Sequence, residues 1–170
     1  MDKNRKKKFG IICNVRIDHD DPEEDIIQHT GVYRKDRTPN RPDYLDLMSN
    51  GGEGWRREHS DRGLLEWGTP TDYLGLGTKL MLYDTDISQI TVVADIVPDA
   101  CYPHNENHIY EYRNIIKDGS LCVLSEPISL DDIKNVEGLE KFPYIKFKDI
   151  SESQFQTLIK GKKCTNGEVP

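Results

Sequence analysis

The sequence predicts an α+β fold, dominated by a mostly antiparallel sheet with short flanking helices. Three observations carry this. Short runs that are β-branched or alternate with a two-residue period recur along the chain, as in ITVVADIV (90–97) and YEYRNII (110–116). Two serines, Ser129 and Ser151, stand immediately before short runs of helical character. No strand–helix–strand unit repeats, which argues against a doubly wound parallel sheet. At 170 residues, 35% hydrophobic and 31% charged, the chain fits one domain built on a single core.

Taken in order, FGIICNVRI (9–17) reads as a strand that ends in the acidic turn around Pro22. The stretch from there to residue 42 is turn-rich and reads as an extension. YLDLMS (44–49) reads as a half-buried strand, with Leu45 and Leu47 alternating against Tyr44, Asp46 and Met48, and Asn50-Gly51-Gly52 stops it. GWRREHSDRGL predicts a short helix closed by Gly63. LGLGTKLMLYD (74–84) predicts a glycine turn feeding a strand, and ITVVADIV a second strand ended by Pro98. YEYRNII, the Asp118-Gly119 hairpin signal and LCVLS predict a β-hairpin. Ser129 with Asp132, and Ser151 with Gln154, have the spacing of capping boxes. The second of these helices carries an apolar stripe of Phe155, Leu158 and Ile159 and stops at Gly161; YIKFK (144–148) predicts a strand between the two.

Composition narrows function mainly by exclusion. No apolar run is long enough to span a bilayer, and MDKNRKKK lacks the apolar segment of a secretory signal, so a cytoplasmic location is expected, with no membrane partner. Cys13, Cys101, Cys122 and Cys164 are scattered without a CxxC, which predicts reduced, structural thiols. A formal charge of -7 argues against indiscriminate nucleic-acid binding, yet basic residues cluster. Five Lys/Arg fall within residues 1–8; Arg34, Lys35, Arg37 and Arg41 form a second group; Arg56, Arg57 and Arg62 surround Trp55. GLGTKL (75–80) has two of the three glycines of a dinucleotide fingerprint and leads into a strand, and no Walker A motif is present. HNENH (104–108) lacks the HExxH order of a helical metal site, so no metal, cofactor or catalytic residue is assigned.

The two tryptophans, Trp55 and Trp67, sit twelve residues apart among glycine, serine and charge, and the order of pieces around them resembles the EVE family of the PUA-like superfamily, to which the YTH domains are related. The resemblance rests on YLDLMSN followed by Trp55, LLEWGTPTDY with Trp67, LGLGTKLMLYD, ITVVADIVPD, EPISLDDIKNVEGLEKF, YIKFKDI and SESQFQTLI, and spans about residues 43–160. Thr78 stands where the family usually has Asp, and the first forty residues have no counterpart. The resemblance implies a twisted PUA-like sheet curling into a pseudo-barrel. It divides the chain into a basic arm and extension (1–42), a base-binding domain (43–162) and a tail (163–170).

The resemblance further implies a reader that flips a modified, methylated base into an aromatic pocket. DNA is favoured over RNA, as in McrB-type modification-dependent restriction, with a motor or nuclease subunit as partner. On this reading Trp67 and Trp55 stack on the base, Ser49 and Asn50 bond its edge, Asp72, Tyr73, Tyr102 and His104 form the rim, and Arg56, Arg57 and Arg62 contact phosphates. Core packing is the competing role for both tryptophans. Two other classes stay open. One is a Mg²⁺-dependent nuclease using Pro98-Asp99 with Asp132-Ile133-Lys134, although Asp132 is better explained as the third residue of the capped helix. The other is a protein-interaction module built on the basic arm and acidic loop.

Overall fold

A computed structural model describes residues 9–17, 25–28, 32–34, 45, 48–59, 64–69, 79–85, 87–97, 102–103, 112–144, 147–165 and 167–168. In chain order the strands are β1 (Gly10–Ile17), β2 (Asp25–Gln28), β3 (Val32–Arg34), β4 (Glu66–Thr69), β5 (Lys79–Asp84) and β6 (Gln89–Asp95). They continue with β7 (Tyr102–Pro103), β8 (Tyr112–Ile115), β9 (Cys122–Ser129), β10 (Phe147–Ile150), β11 (Lys163–Cys164) and β12 (Gly167–Glu168). The helices are α1 (Glu53–His59), preceded by a 3-10 turn at Asn50–Gly52, α2 (Leu130–Lys134) and α3 (Glu152–Ile159).

The α+β class holds. A mixed nine-stranded sheet runs β12-β11-β9-β6-β5-β1-β2-β3, with β10 also on β1, and a three-stranded sheet runs β4-β8-β7. Among the described residues only β1 and β5 pair in parallel; the other ladders are antiparallel. No strand pairing closes the larger sheet among the described residues.

Period-two alternation sorts the strand residues onto two faces. Ile11, Cys13 and Val15 of β1 and Leu80 and Leu82 of β5 join one core cluster; Ile12, Met81 and Tyr83 join the other. Both faces are covered, which is why β5 is buried at five successive positions. One face is covered by Met48, Trp55, Leu65, Trp67, Ile116 and Leu121. The opposite face receives Ile133 of α2, Phe155 and Leu158 of α3, and Leu139 and Phe142 between them.

The helix starts behave as their sequences require. Ser151 and Gln154 form a complete capping box, whereas at α2 the Ser129 side chain accepts from the Asp132 backbone N–H as a simple N-cap. Lys79 and Asp95 form an ion pair across β5 and β6, and the Lys79 ammonium lies 5.3 Å from the centre of the Phe155 ring, tying α3 to the sheet.

Three expectations are corrected. Leu45 and Met48 are helical, and the Ser49 N–H donates to the Leu45 carbonyl at 3.0 Å, so the expected strand at 44–49 does not form there. The three-residue spacing of Leu45 and Met48 brings both to the core and outweighs the Leu45/Leu47 alternation. The strand expected at 9–17 forms as β1, and although the resemblance places it outside the 43–162 unit, it is the strand on which β5, β10 and β2 assemble. Asp118-Gly119 does not join a hairpin: β8 pairs β4 and β7, while β9 pairs β6 and β11, so this turn carries the chain from one sheet to the other. Cys122 and Cys164, expected as thiols, form a disulfide, because the β9–β11 pairing brings their Cα atoms to 5.2 Å.

Candidate functional site

The site expected around the tryptophans begins at the turn before α1. Asn50 has φ 54°, Gly51 81° and Gly52 82°, a run of left-handed backbone that asparagine and glycine tolerate. Gly52 is buried, and a Cβ there would approach Leu121 to 2.5 Å and Leu65 to 3.0 Å. The absence of a side chain therefore lets the turn seat on these leucines and aims Trp55 of α1 into the core.

Trp67 arrives from β4, opposite Asn114 of β8 in the antiparallel register. Asn114 is fully buried, and its amide nitrogen donates to the Trp67 carbonyl at 3.1 Å. The two indoles are stacked on each other, with centroids 5.7 Å apart and planes 22° from parallel. Trp55 is 1% exposed and Trp67 0%. The pair is therefore closed and interior rather than the open aromatic wall expected from the sequence. The Trp67 indole N–H is buried and makes no hydrogen bond among the described residues. Such an orphaned donor costs about 1–3 kcal/mol, so it marks a place where a polar acceptor would be favoured.

The other expected site residues divide. Ser49 lies one residue before the glycine turn, but its hydroxyl donates to the Leu45 carbonyl at 2.7 Å, which commits its proton locally. Asn50 is exposed. Arg56 is not a free phosphate contact: its guanidinium pairs with Asp118 and, at 3.3 Å, with Glu53. Arg57 is exposed to solvent. Tyr102 lies in β7, its backbone in register with Arg113. Asp72, Tyr73, Arg62, His104 and the HNENH stretch lie outside the described residues, as does Asp99 of the nuclease alternative. Asp132 is exposed in the first turn of α2.

The sequence marks Asp118 only as a turn residue and does not mark Asn114, so neither is expected at the site. A signal for Asn114 existed, since it falls in a strand flanked by the apolar Ile115 and Ile116, and a polar residue buried there must hydrogen-bond inward. Asp118 carried none, because a charged residue in a DG turn is commonplace.

In comparison with known proteins, the chain matches no protein-family model, no curated protein and no solved structure.

Proposed function

We propose that this chain is a nucleic-acid reader of the EVE/YTH-like kind, a non-catalytic module that takes a methylated base out of its stack and holds it against Trp55 and Trp67. A PUA-like pseudo-barrel, DNA as the favoured nucleic acid, a cytoplasmic setting and a separate motor or nuclease as partner belong to the same reading. The observation that supports it is the stacked tryptophan pair with one indole N–H left without an acceptor.

The energetics favour insertion once the pair opens. Separating two stacked aromatics forfeits about 0.5–1.5 kcal/mol, whereas each new base–aromatic stack returns about 1–3 kcal/mol. A base acceptor on the Trp67 N–H recovers a further 1–3 kcal/mol or so. These gains offset the few kcal/mol needed to flip a base, and a buried methyl adds about 0.8 kcal/mol. Sandwiching a base requires the ring planes to stand about 7 Å apart, two carbon contact distances, so at least one indole must leave its buried place in the stack.

The test is a binding screen of short duplexes and single strands, in DNA and RNA, each carrying N6-methyladenine, 5-methylcytosine or no modification. Trp55 and Trp67 are the only tryptophans, so intrinsic fluorescence reports on the site directly. Quenching and affinity that favour one modified strand are expected. Equal, weak binding to all of them, with unchanged fluorescence, leaves the pair as core packing and removes the reader assignment.

A further inference from the structure

We propose that Cys122 and Cys164 form a redox latch: oxidised, the bond holds the β11–β12 hairpin on β9, and two-electron reduction releases residues 163–168 while the rest of the fold stays assembled. Among the described residues, the ladder that joins the hairpin to the sheet beside the disulfide is short. The β9–β11 ladder has one register pair, Cys164 with Leu124. It is supplemented by the Thr165 N–H donating to the Val123 carbonyl at 2.9 Å and the Ser125 hydroxyl donating to the Lys163 carbonyl at 3.0 Å. Strand β12 in turn pairs only with β11 among the described residues.

The residues between the two cysteines are anchored without the bond. Strand β10 pairs with β1 at four positions, and Ile133, Leu139, Phe142, Phe155 and Leu158 are buried in the core beside the sheet. Breaking the S–S bond therefore removes the covalent tether of the hairpin and leaves α2, β10 and α3 held by their own contacts. Such weakly tied edges are the parts of a fold that open locally.

Access follows from burial, because Cys122 is 0% exposed and Cys164 7%. A thiolate of a dithiol reductant attacks Sγ of Cys164, forming a mixed disulfide, and the sulfur of Cys122 leaves and takes up a proton. The second thiol of the reductant then closes on the mixed disulfide, frees Cys164 as a thiol and departs as a cyclic disulfide. Two electrons pass from reductant to protein, and both cysteines end protonated. Since Cys164 is nearly covered, attack waits for β11 to fray, so the reduction rate levels off as reductant concentration rises. In a reducing compartment the released hairpin is the resting state, and oxidation closes it.

The experiment uses the full chain, oxidised in air, with the Cys122–Cys164 link confirmed by peptide mapping, and then reduced with dithiothreitol. Hydrogen exchange is followed by peptide. The expected result is exchange at 163–168 and 123–125 faster by about tenfold or more, with β1, β5 and β6 unchanged. Cys164→Ser should show the reduced pattern with or without reductant, and Cys13→Ser should remain switchable. Failure of the link to form overturns the proposal. So does exchange that accelerates through β5 and β6 on reduction, which makes the bond a global staple, and so does an unchanged hairpin.

Discussion

Trp55 and Trp67 stack on each other inside the core, with ring centres 5.7 Å apart, rather than facing an open cleft. Their burial sets the cost of removing either one. Trp67→Ala is expected to destabilise the fold by about 3–5 kcal/mol, since it leaves a cavity beside Trp55 and Leu65. Urea unfolding measures this, and a loss below about 1 kcal/mol would mean that the site collapses or is not a core position. Trp67→Phe keeps a ring and removes the orphaned N–H, which makes it the better variant for binding studies.

Gly52 controls how that pair is seated. With φ 82° and Leu121 only 2.5 Å from where a Cβ would stand, Gly52→Ala meets both backbone strain and a clash. A loss of about 1–3 kcal/mol is expected, together with a shifted tryptophan emission as the turn is displaced. Gly119, also at positive φ but with nothing within 4 Å of its added Cβ, is the control; Gly119→Ala should leave the emission unchanged.

Much of the fold was legible because its signals are local. The strands 10–17, 79–84 and 89–95 and both capped helices follow from side-chain alternation and from a serine hydroxyl reaching a backbone N–H three residues on. What the sequence misassigned depends on distant partners. Leu45 and Met48 satisfy a helical as well as an extended pattern, and the buried surface near Trp55 decides between them. The Asp118-Gly119 turn is local, but whether the flanking strands pair with each other is settled by β4 and β6. The same holds for the site: two tryptophans were conspicuous, while their mutual stacking and the Arg56–Asp118 contact across 62 residues are tertiary facts.

Arg56 and Arg57 are adjacent and are expected to behave differently. Arg57 is exposed, whereas Arg56 already neutralises Asp118 and Glu53. If the chain reads nucleic acid, Arg57→Ala should weaken modified and unmodified strands alike and reduce the salt slope by about one. Arg56→Ala should change the slope less. A larger effect at Arg56 would mean that the ion pair opens on binding.

Cys13 is buried, and that burial, followed by the charge of Asp149, pushes its thiol well above the ordinary cysteine range. Iodoacetamide should therefore leave Cys13 unmodified in the native chain even at pH 9.0, where an ordinary thiol is half ionised, and label it after denaturation. The sign for stability follows. The contribution of the protonated thiol is complete below pH 9.0 and is lost as pH rises beyond it, because only the unfolded chain ionises readily. Rapid native labelling would place Cys13 outside the core.

The nuclease alternative makes the opposite demand on metal from the reader, and Asp132 lets the two be separated. A hydrolytic site needs carboxylates converging on Mg²⁺, whereas stacking and arginine contacts need no ion. Asp132 is exposed in the first turn of α2, where its backbone N–H satisfies the Ser129 cap and its charge suits the helix N-terminus. Its presence is thus accounted for without catalysis. The expected outcome is that the chain binds a modified strand in the presence of a chelator and leaves it uncut when Mg²⁺ is supplied. Asp132→Asn should change neither result, at a stability cost of about 0.3–1 kcal/mol from the weakened helix terminus. Mg²⁺-dependent cleavage that disappears in Asp132→Asn would overturn the reader and establish the nuclease. Binding that disappears with the chelator would place a metal in the recognition site itself.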